Sequence, residues 1–383
     1  MAPGSESKRI GNPGPSGGGW VSALQCVTLN PDSMLLFTAL AVLCAPVSAA
    51  PADSVPARPY KLSGYADGYY RYNFQNPREA PYNNLTSFTN SHNSFELGMI
   101  SLKGEHTVGK VGLVADLGFG RRAEEFSYTD ANTRFIIKQL FLTYALTDKL
   151  KLTGGSWATH VGYESVDPYL NRTYSMSYLF SYGPFFHTGI KAEYQVAPKT
   201  LLMLGVANPT DLKSASNLPK TVIAQVATST ADDKIKAYFN YQGGRQQDSL
   251  RLQQADVVLT YALSEQLSFS GNGSVQYRQQ RTETGWQSGR AWWGSAFYAN
   301  LDPRPWLGFT LRTEYFSDHR NVLGFDGEVL ETTLAANLRK DGFTLIPELR
   351  LDRSTQGAPL FADKAGTARR TTMGALLAAV YKF

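Results

Sequence analysis

From Tyr60 onward the chain alternates apolar and polar positions with a period of two, broken by turn-forming residues, with no convincing amphipathic helix. Sixteen strands are predicted: 60–74, 94–105, 110–122, 134–146, 149–161, 185–196, 200–208, 220–228, 233–242, 252–263, 266–279, 289–301, 304–317, 328–340, 342–352 and 370–383. In the third, Val111, Leu113, Ala115, Leu117 and Phe119 form one face, and Lys110, Gly112, Asp116, Gly118, Gly120 and Arg122 most of the other. The eleventh and fourteenth behave alike, Leu267, Phe269, Val275 and Tyr277 opposing Ser268, Ser270, Asn272 and Gln276, and Leu334, Ala336 and Leu338 opposing Glu331, Thr333 and Asn337. Trp292 and Trp293 leave the parity of the twelfth undecided. Pro347 inside the fifteenth loses a ladder bond and predicts a local bulge.

The links sort into seven short and eight long in strict alternation, beginning with long 75–93 and short 106–109. That asymmetry belongs to an up-and-down membrane barrel, with turns at one rim and loops at the other. A propeller or sandwich would not predict it. The last strand agrees: Met373, Ala375, Leu377, Ala379, Tyr381 and Phe383 make an unbroken apolar stripe ending on an aromatic. Closing that strand on the first removes both edges. Tyrosines at strand ends (Tyr144, Tyr194, Tyr241, Tyr261, Tyr277, Tyr315, Tyr381) fit the aromatic girdles of such a barrel. The fold class is therefore all-β, a transmembrane antiparallel barrel of about 16 strands, within a range of 14 to 18. An even strand number puts both termini on the periplasmic side.

Composition changes little. The 43% hydrophobic content is that of a soluble protein, which is also what a barrel gives, because one side of each strand meets lipid and the other water. After the N-terminal region the longest apolar run, Gly374 to Val380, is far short of the roughly 18–20 residues a membrane helix needs. Met34 to Pro46 is an apolar run followed by Val47-Ser48-Ala49, a secretory signal with cleavage expected after Ala49. Residues 1–33 are then a flexible extension or a miscalled start upstream of Met34; 50–59 form a short periplasmic segment, and 60–383 a single barrel. Both cysteines, Cys26 and Cys44, fall in the part expected to be removed, which argues against disulfides, a thiolate metal site or a cysteine nucleophile. The net charge of +5 has no basic block, so nucleic-acid binding has no support.

The stretch Gly155 to Gly189 carries Gly162-Tyr163-Glu164, Asn171, Tyr174-Ser175, Ser177, Pro184 and His187-Thr188-Gly189. Echoes follow at Gly64-Tyr65, Gln139 to Tyr144, Gly205 to Asn208, Arg312 to Tyr315 and Pro347 to Arg350. This pattern resembles the OmpL-like β-barrel porins of Gram-negative bacteria. One departure is Pro209-Thr210-Asp211, where family members tend to continue Gly-Trp-Asp. The resemblance implies a passive outer-membrane pore for small hydrophilic solutes or ions, without catalytic residues to carry over. It also implies that the barrel-assembly machinery reads the closing strand through Tyr381 and Phe383. Outer-membrane lipid is the expected surrounding, and no cofactor or metal is expected. A homotrimer is an option, although the outward faces carry no patch distinguishable from lipid contact.

The longest link, 162–184, holds Tyr163, Glu164, Tyr169, Asn171, Tyr174, Tyr178, Phe180 and Tyr182. Two readings stand: the loop folds into the barrel and narrows it, or it caps neighbouring loops. Sixteen strands enclose a channel, and the predicted lumen residues are Lys110, Asp116, Arg122, Lys151, Lys191, Glu193, Lys236, Asp256, Arg278, Arg312, Glu314, Glu348, Arg350 and Asp352. Their small cationic excess points to weak anion preference, while the plainer account is ion pairs across strands. Enzyme motifs are missing: there is no H-E-x-x-H or G-x-S-x-G. His160 and His187 are placed to approach across two strands with Ser156 below them, the one set from which a membrane hydrolase could be built. A surface-binding or adhesin role would instead use the loops 75–93 and 354–369 over a closed lumen.

Overall fold

The computed structural model describes residues 60–130, 134 and 136–383. The expected leader, both cysteines and the alternative start at Met34 lie outside the described residues. Sixteen long antiparallel strands make one closed sheet, and they follow the predicted order. They are β1 Lys61–Asn73, β2 Ser94–Val108, β3 Val111–Phe119, β4 Ile137–Ala145, β5 Leu150–Ala158, β6 Phe186–Ala197, β7 Thr200–Ala207 and β8 Thr221–Ser229. The second half is β9 Ile235–Gln247, β10 Leu250–Ala262, β11 Leu267–Thr282, β12 Arg290–Arg304, β13 Leu307–Ser317, β14 Gly327–Lys340, β15 Phe343–Gly357 and β16 Thr371–Lys382. Each strand pairs with its sequence neighbours, and β16 closes on β1 from Tyr65↔Lys382 to Asn73↔Gly374. No helix among the described residues is long and apolar enough to cross a membrane.

The alternation read from the sequence is the alternation of the wall. On the outer face Leu97, Leu142, Ile190, Leu204, Leu334 and Leu377 are exposed, as an apolar band in lipid requires, and the strand-end tyrosines lie on the same face. The opposite face is polar and mostly buried, with Asn240, Gln254, Asn272, Asn300, Thr310 and Thr333 on the successive strands β9 to β14. In β12 the parity resolves: Trp292 points inward and donates its Nε1–H to Gln276 at 3.1 Å, while Trp293 is exposed. Leu97 and Ile100 both lie outside although they are three positions apart, a spacing that puts residues of a regular strand on opposite faces, because β2 bulges between them and the pairing shifts from Ala66↔Ile100 to Gly68↔Leu97. The inward Asp67 carboxylate accepts the Met99 N–H there at 3.0 Å.

Four expectations are corrected. The bulge forecast at Pro347 is not formed. β15 pairs with β14 in one register on either side of it and with β16 at Pro347↔Leu377, since the missing N–H faces only one neighbour. The long link between the ninth and tenth strands shrinks to Asp248-Ser249, because β9 continues through the glycines at 243 and 244 to Gln247 and β10 begins at Leu250. The third strand stops at Phe119: Gly120 turns the chain at φ 113°, and Arg121–Phe126 form a short helix, α1. Arg122 therefore leaves the strand face. Lys110 sits in the β2–β3 turn, exposed, rather than within a strand.

Candidate functional site

The longest connection, 159–185 between β5 and β6, meets the inner wall on several sides. Its neck is pinned by Thr159 N–H donating to Phe185 O at 3.0 Å and by Thr159 Oγ1 beside His187 Nε2 at 3.2 Å. His160 donates from Nε2 to Tyr241 O at 3.2 Å, and its ring centroid is 5.0 Å from that of His187. Burial pushes the His160 imidazolium down to about 4, so this neck carries a neutral ring at neutral pH.

Irregular backbone enclosed by a barrel must find partners for its N–H groups. Here wall carboxylates supply them. Glu314 on β13 accepts from Tyr178 N at 2.6 Å and Leu179 N at 2.7 Å. Glu348 on β15 accepts from Tyr174 N and from Ser175 N at 3.1 Å, and Asp256 on β10 from Gly162 N at 3.1 Å. Arg312 binds the loop's carbonyls and acids instead, donating to Ser175 O at 2.7 Å and Glu164 at 2.7 Å while its Nε reaches Glu331 at 3.1 Å. Arg350 holds Met176 O at 2.7 Å and pairs with Asp352 through two bonds of 2.9 Å. Lys138, bulged inward on β4, bridges Asp167 of the loop at 2.6 Å and Asp116 of β3 at 3.1 Å.

Apolar packing does the rest. The five-residue helix α2, Tyr178–Tyr182, sets Tyr178 and Tyr182 against Phe316 with ring centroids 5.5 and 5.3 Å apart. Burial beside the Asp352 carboxylate raises the Tyr178 phenol well above its usual range. Tyr163 packs on Tyr298 and Tyr174 on Tyr69, while Phe180 joins Phe88, Phe126 and Phe185 under the neighbouring loops. The second apolar face of β16, Leu376, Ala378 and Val380, is explained by the same contact, since Tyr174 covers it. Tyr169 and Leu170 stay exposed, and Asn171 closes its own turn with Ser165.

A family model described as "Putative beta-barrel porin-2, OmpL-like" matches residues 59–383. The chain belongs to this family. The channel DcaP of Acinetobacter baumannii has a similar structure at TM-score 0.54 and 14% identity, covering 85% of this chain and 97% of its own. An anion-selective porin from Comamonas acidovorans matches at 0.54 and 11%, covering 85% and 99%. OmpT of Vibrio cholerae matches at 0.54 and 10%, covering 85% and 97%. At these identities the likeness is one of fold. No curated protein sequence matches the chain. Family and fold together make this an outer-membrane β-barrel channel protein of porin type, a class that is typically non-enzymatic.

Among the predicted lumen charges of this porin-type barrel, Asp116, Asp256, Arg312, Glu314, Glu348 and Asp352 lie on the inner face but are buried, each by its partners above. Lys151, Lys191 and Glu193 form a separate group, with Glu193 2.8 Å from Lys151 and 3.5 Å from Lys191. Arg278 donates to Gln276 at 2.6 Å, and Lys236 is exposed at the turn end of β9. Arg122 is carried by α1 into the loop core, its guanidinium 4.7 Å from the Phe88 centroid and 4.6 Å from that of Tyr174. The hydrolase set does not assemble: Ser156 shares the outer face with Ile190 and bonds Thr188 at 3.0 Å, whereas His187 pairs with Trp157 on the inner face.

Two features escaped the sequence reading. Gln242, Gln254 and Gln276 form a buried row across β9, β10 and β11, bonded at 2.8 and 3.0 Å. Asp211, in the link after β7, accepts from Phe185 N at 2.7 Å and Phe186 N at 3.0 Å, fixing the loop's exit. Burial pushes its carboxyl up to about 6 against those bonds and against Lys213. Its place after Asn208-Pro209-Thr210, where the family pattern departs, was the available signal.

Proposed function

We propose that this chain is a passive diffusion porin for small hydrophilic solutes, its lumen narrowed by residues 162–184. The observation that supports the constriction is the pair of inward carboxylates, Glu314 and Glu348, each accepting two consecutive loop N–H groups. A cap resting on neighbouring loops would have no use for acceptors at the middle of the far wall. In this proposal the short turns and both termini face the periplasm, residues 34–49 are a cleaved signal, and residues 60–383 are one domain. Tyr381 and Phe383 present the closing strand to the assembly machinery. Weak anion preference is retained, although most residues first assigned to it are buried. A homotrimer remains part of the proposal for the assembled protein.

The competing reading is a surface-binding barrel with a closed lumen. It has support in the burial of the mid-wall charges and in the interlock of surface loops, where Asn83 and Ala362 exchange bonds of 2.8 and 2.9 Å. Refolding Ala50–Phe383 in detergent and recording single channels in a planar bilayer separates the two. Steady conductance supports the pore; a folded barrel that passes no current transfers the function to its surface loops.

A further inference from the structure

At mid-height the charges of the wall are paired and sealed from solvent, as for Arg312 between Glu164 and Glu331, with side chains 0–2% exposed. Toward the turn end the arrangement changes. Three inward carboxylates there are each shared by two cations, and all nine side chains reach solvent. Glu105 meets Lys61 at 3.4 Å and Lys103 at 3.0 Å. Glu193 meets Lys151 at 2.8 Å and Lys191 at 3.5 Å. Asp302 meets Arg339 at 2.9 Å and Arg172 of the constriction loop at 3.0 Å.

Their strand positions agree on one height. Lys61 opens β1, Lys151 is the second residue of β5, and Arg339 is the last but one of β14, each at the strand end on the side of the short turns. The cavity at the first of these groups measures about 350 Å³ and is also lined by Lys382 and Tyr169, and by Asp116 and Asp167, which Lys138 holds at 3.1 and 2.6 Å. Lys382 lies 5.8 Å from the Tyr169 ring centroid, a further cation beside the exposed tip of the loop. At the loop end no carboxylate among the described residues is shared in this way: Arg121 stands between Glu96 at 3.5 Å and Glu125 at 3.4 Å, and Lys213 with Asp130 and Arg369 with Asp363 are single pairs at 2.6 Å.

A carboxylate that accepts from two cations leaves one positive charge uncompensated. Three such groups around one mouth sum to a positive field focused by the low-dielectric wall. We propose that the turn end of the barrel is a binding vestibule for small dianions of the phosphate or dicarboxylate class, which it concentrates below the constriction. The cations stand on the enclosed face, so the ligand is a soluble dianion and not a lipid headgroup. This rests on the channel reading for its access route and deepens its anion preference, but it uses Lys61, Lys103, Arg172 and Arg339, none of which figured in that preference.

The test is a bilayer of zwitterionic phosphatidylcholine with inorganic phosphate added to one compartment at a time. The chloride current of the wild-type protein should fall when phosphate enters from one side only. Neutralising one cation in each group, as Lys103→Gln/Lys151→Gln/Arg339→Gln, should lower the chloride-to-potassium permeability ratio about eightfold at ~0.01 M salt, at roughly twofold per charge some 8 Å from the ion path. Arg369→Gln, in a surface hairpin at the loop end, should leave it unchanged. A triple variant whose ratio matches the wild type, or a wild-type protein blocked equally from both sides, overturns the proposal. If the triple variant does not assemble, Lys151→Gln alone, half exposed, carries the test at about twofold. If the folded wild type conducts nothing, calorimetric titration with phosphate in neutral detergent decides the point. Binding that Lys151→Gln weakens keeps the site and removes the channel reading, and no binding removes the site.

Discussion

Glu314 is the sharpest place to loosen the loop without touching its own sequence. Its two oxygens accept Tyr178 N at 2.6 Å and Leu179 N at 2.7 Å, and the residue is buried on β13. Glu314→Gln keeps the shape, but turns one acceptor into a donor facing an N–H and leaves the other bond without charge assistance. Losing one charge-assisted bond and weakening the second costs about 2–4 kcal/mol, a shift of roughly 30- to 700-fold between docked and undocked states of this segment. Other anchors remain, since Glu348 still holds Tyr174 and Ser175 and Asp256 still holds Gly162. The single variant should therefore flicker between the wild-type conductance and a larger one, and Glu314→Gln/Glu348→Gln should dwell in the larger state. Single-channel recording reads both, with near-ultraviolet circular dichroism reporting whether Tyr178 and Tyr182 still stack on Phe316. A double variant with wild-type conductance, wild-type noise and an altered aromatic signal would refute the claim that these anchors hold the constriction.

Arg312→Met should leave Glu164 and Glu331 buried without their cation and cost about 3–5 kcal/mol, seen as a drop in refolding yield and urea midpoint. Asp211 has a folded carboxyl pushed up to about 6, so the fold takes up its proton more readily than the unfolded chain does. Its favourable contribution is present at low pH and is lost as pH rises toward and through 6. Asp211→Asn should remove a pH dependence of up to about 3 kcal/mol between pH 4 and 7, measured as the wild-type minus variant difference in unfolding free energy. Arg122→Ala removes the cation between Phe88 and Tyr174, and the loop at 74–93 should become cleavable by protease, with a loss of about 2 kcal/mol.

The barrel was legible because its outer face has one chemical requirement. Leu113, Leu267 and Leu334 had to meet lipid, and their period of two survives any local irregularity. Local exceptions were less visible: Gly243-Gly244 looks like punctuation yet continues β9, and Gly120 looks like a strand residue yet ends β3. The inner face was legible only as polar. Glu314 and Glu348 would read the same facing water as facing peptide N–H groups, because either environment satisfies a carboxylate. What decides between them is the path of 159–185, and that depends on contacts far apart in sequence, such as Arg312 with Glu164. The histidine pair shows the same limit from the other side, since His160 and His187 do meet while the parity of β5 turns Ser156 outward.

The seam between β1 and β16 joins the two ends of the barrel sequence. Gly64 and Phe383 exchange backbone bonds of 3.0 and 2.9 Å, and the Phe383 ring lies so close to Gly64 that a methyl there would strike it. Fifteen of the sixteen strand pairings can form between sequence neighbours as the chain emerges, but the sixteenth must wait for β16. Until then the growing sheet has two open rims whose unpaired amides match each other and those of any neighbouring copy. Aggregation and closure therefore compete for the same hydrogen bonds, and the rim of β1 stays open to that competition until the chain's own last strand takes the place.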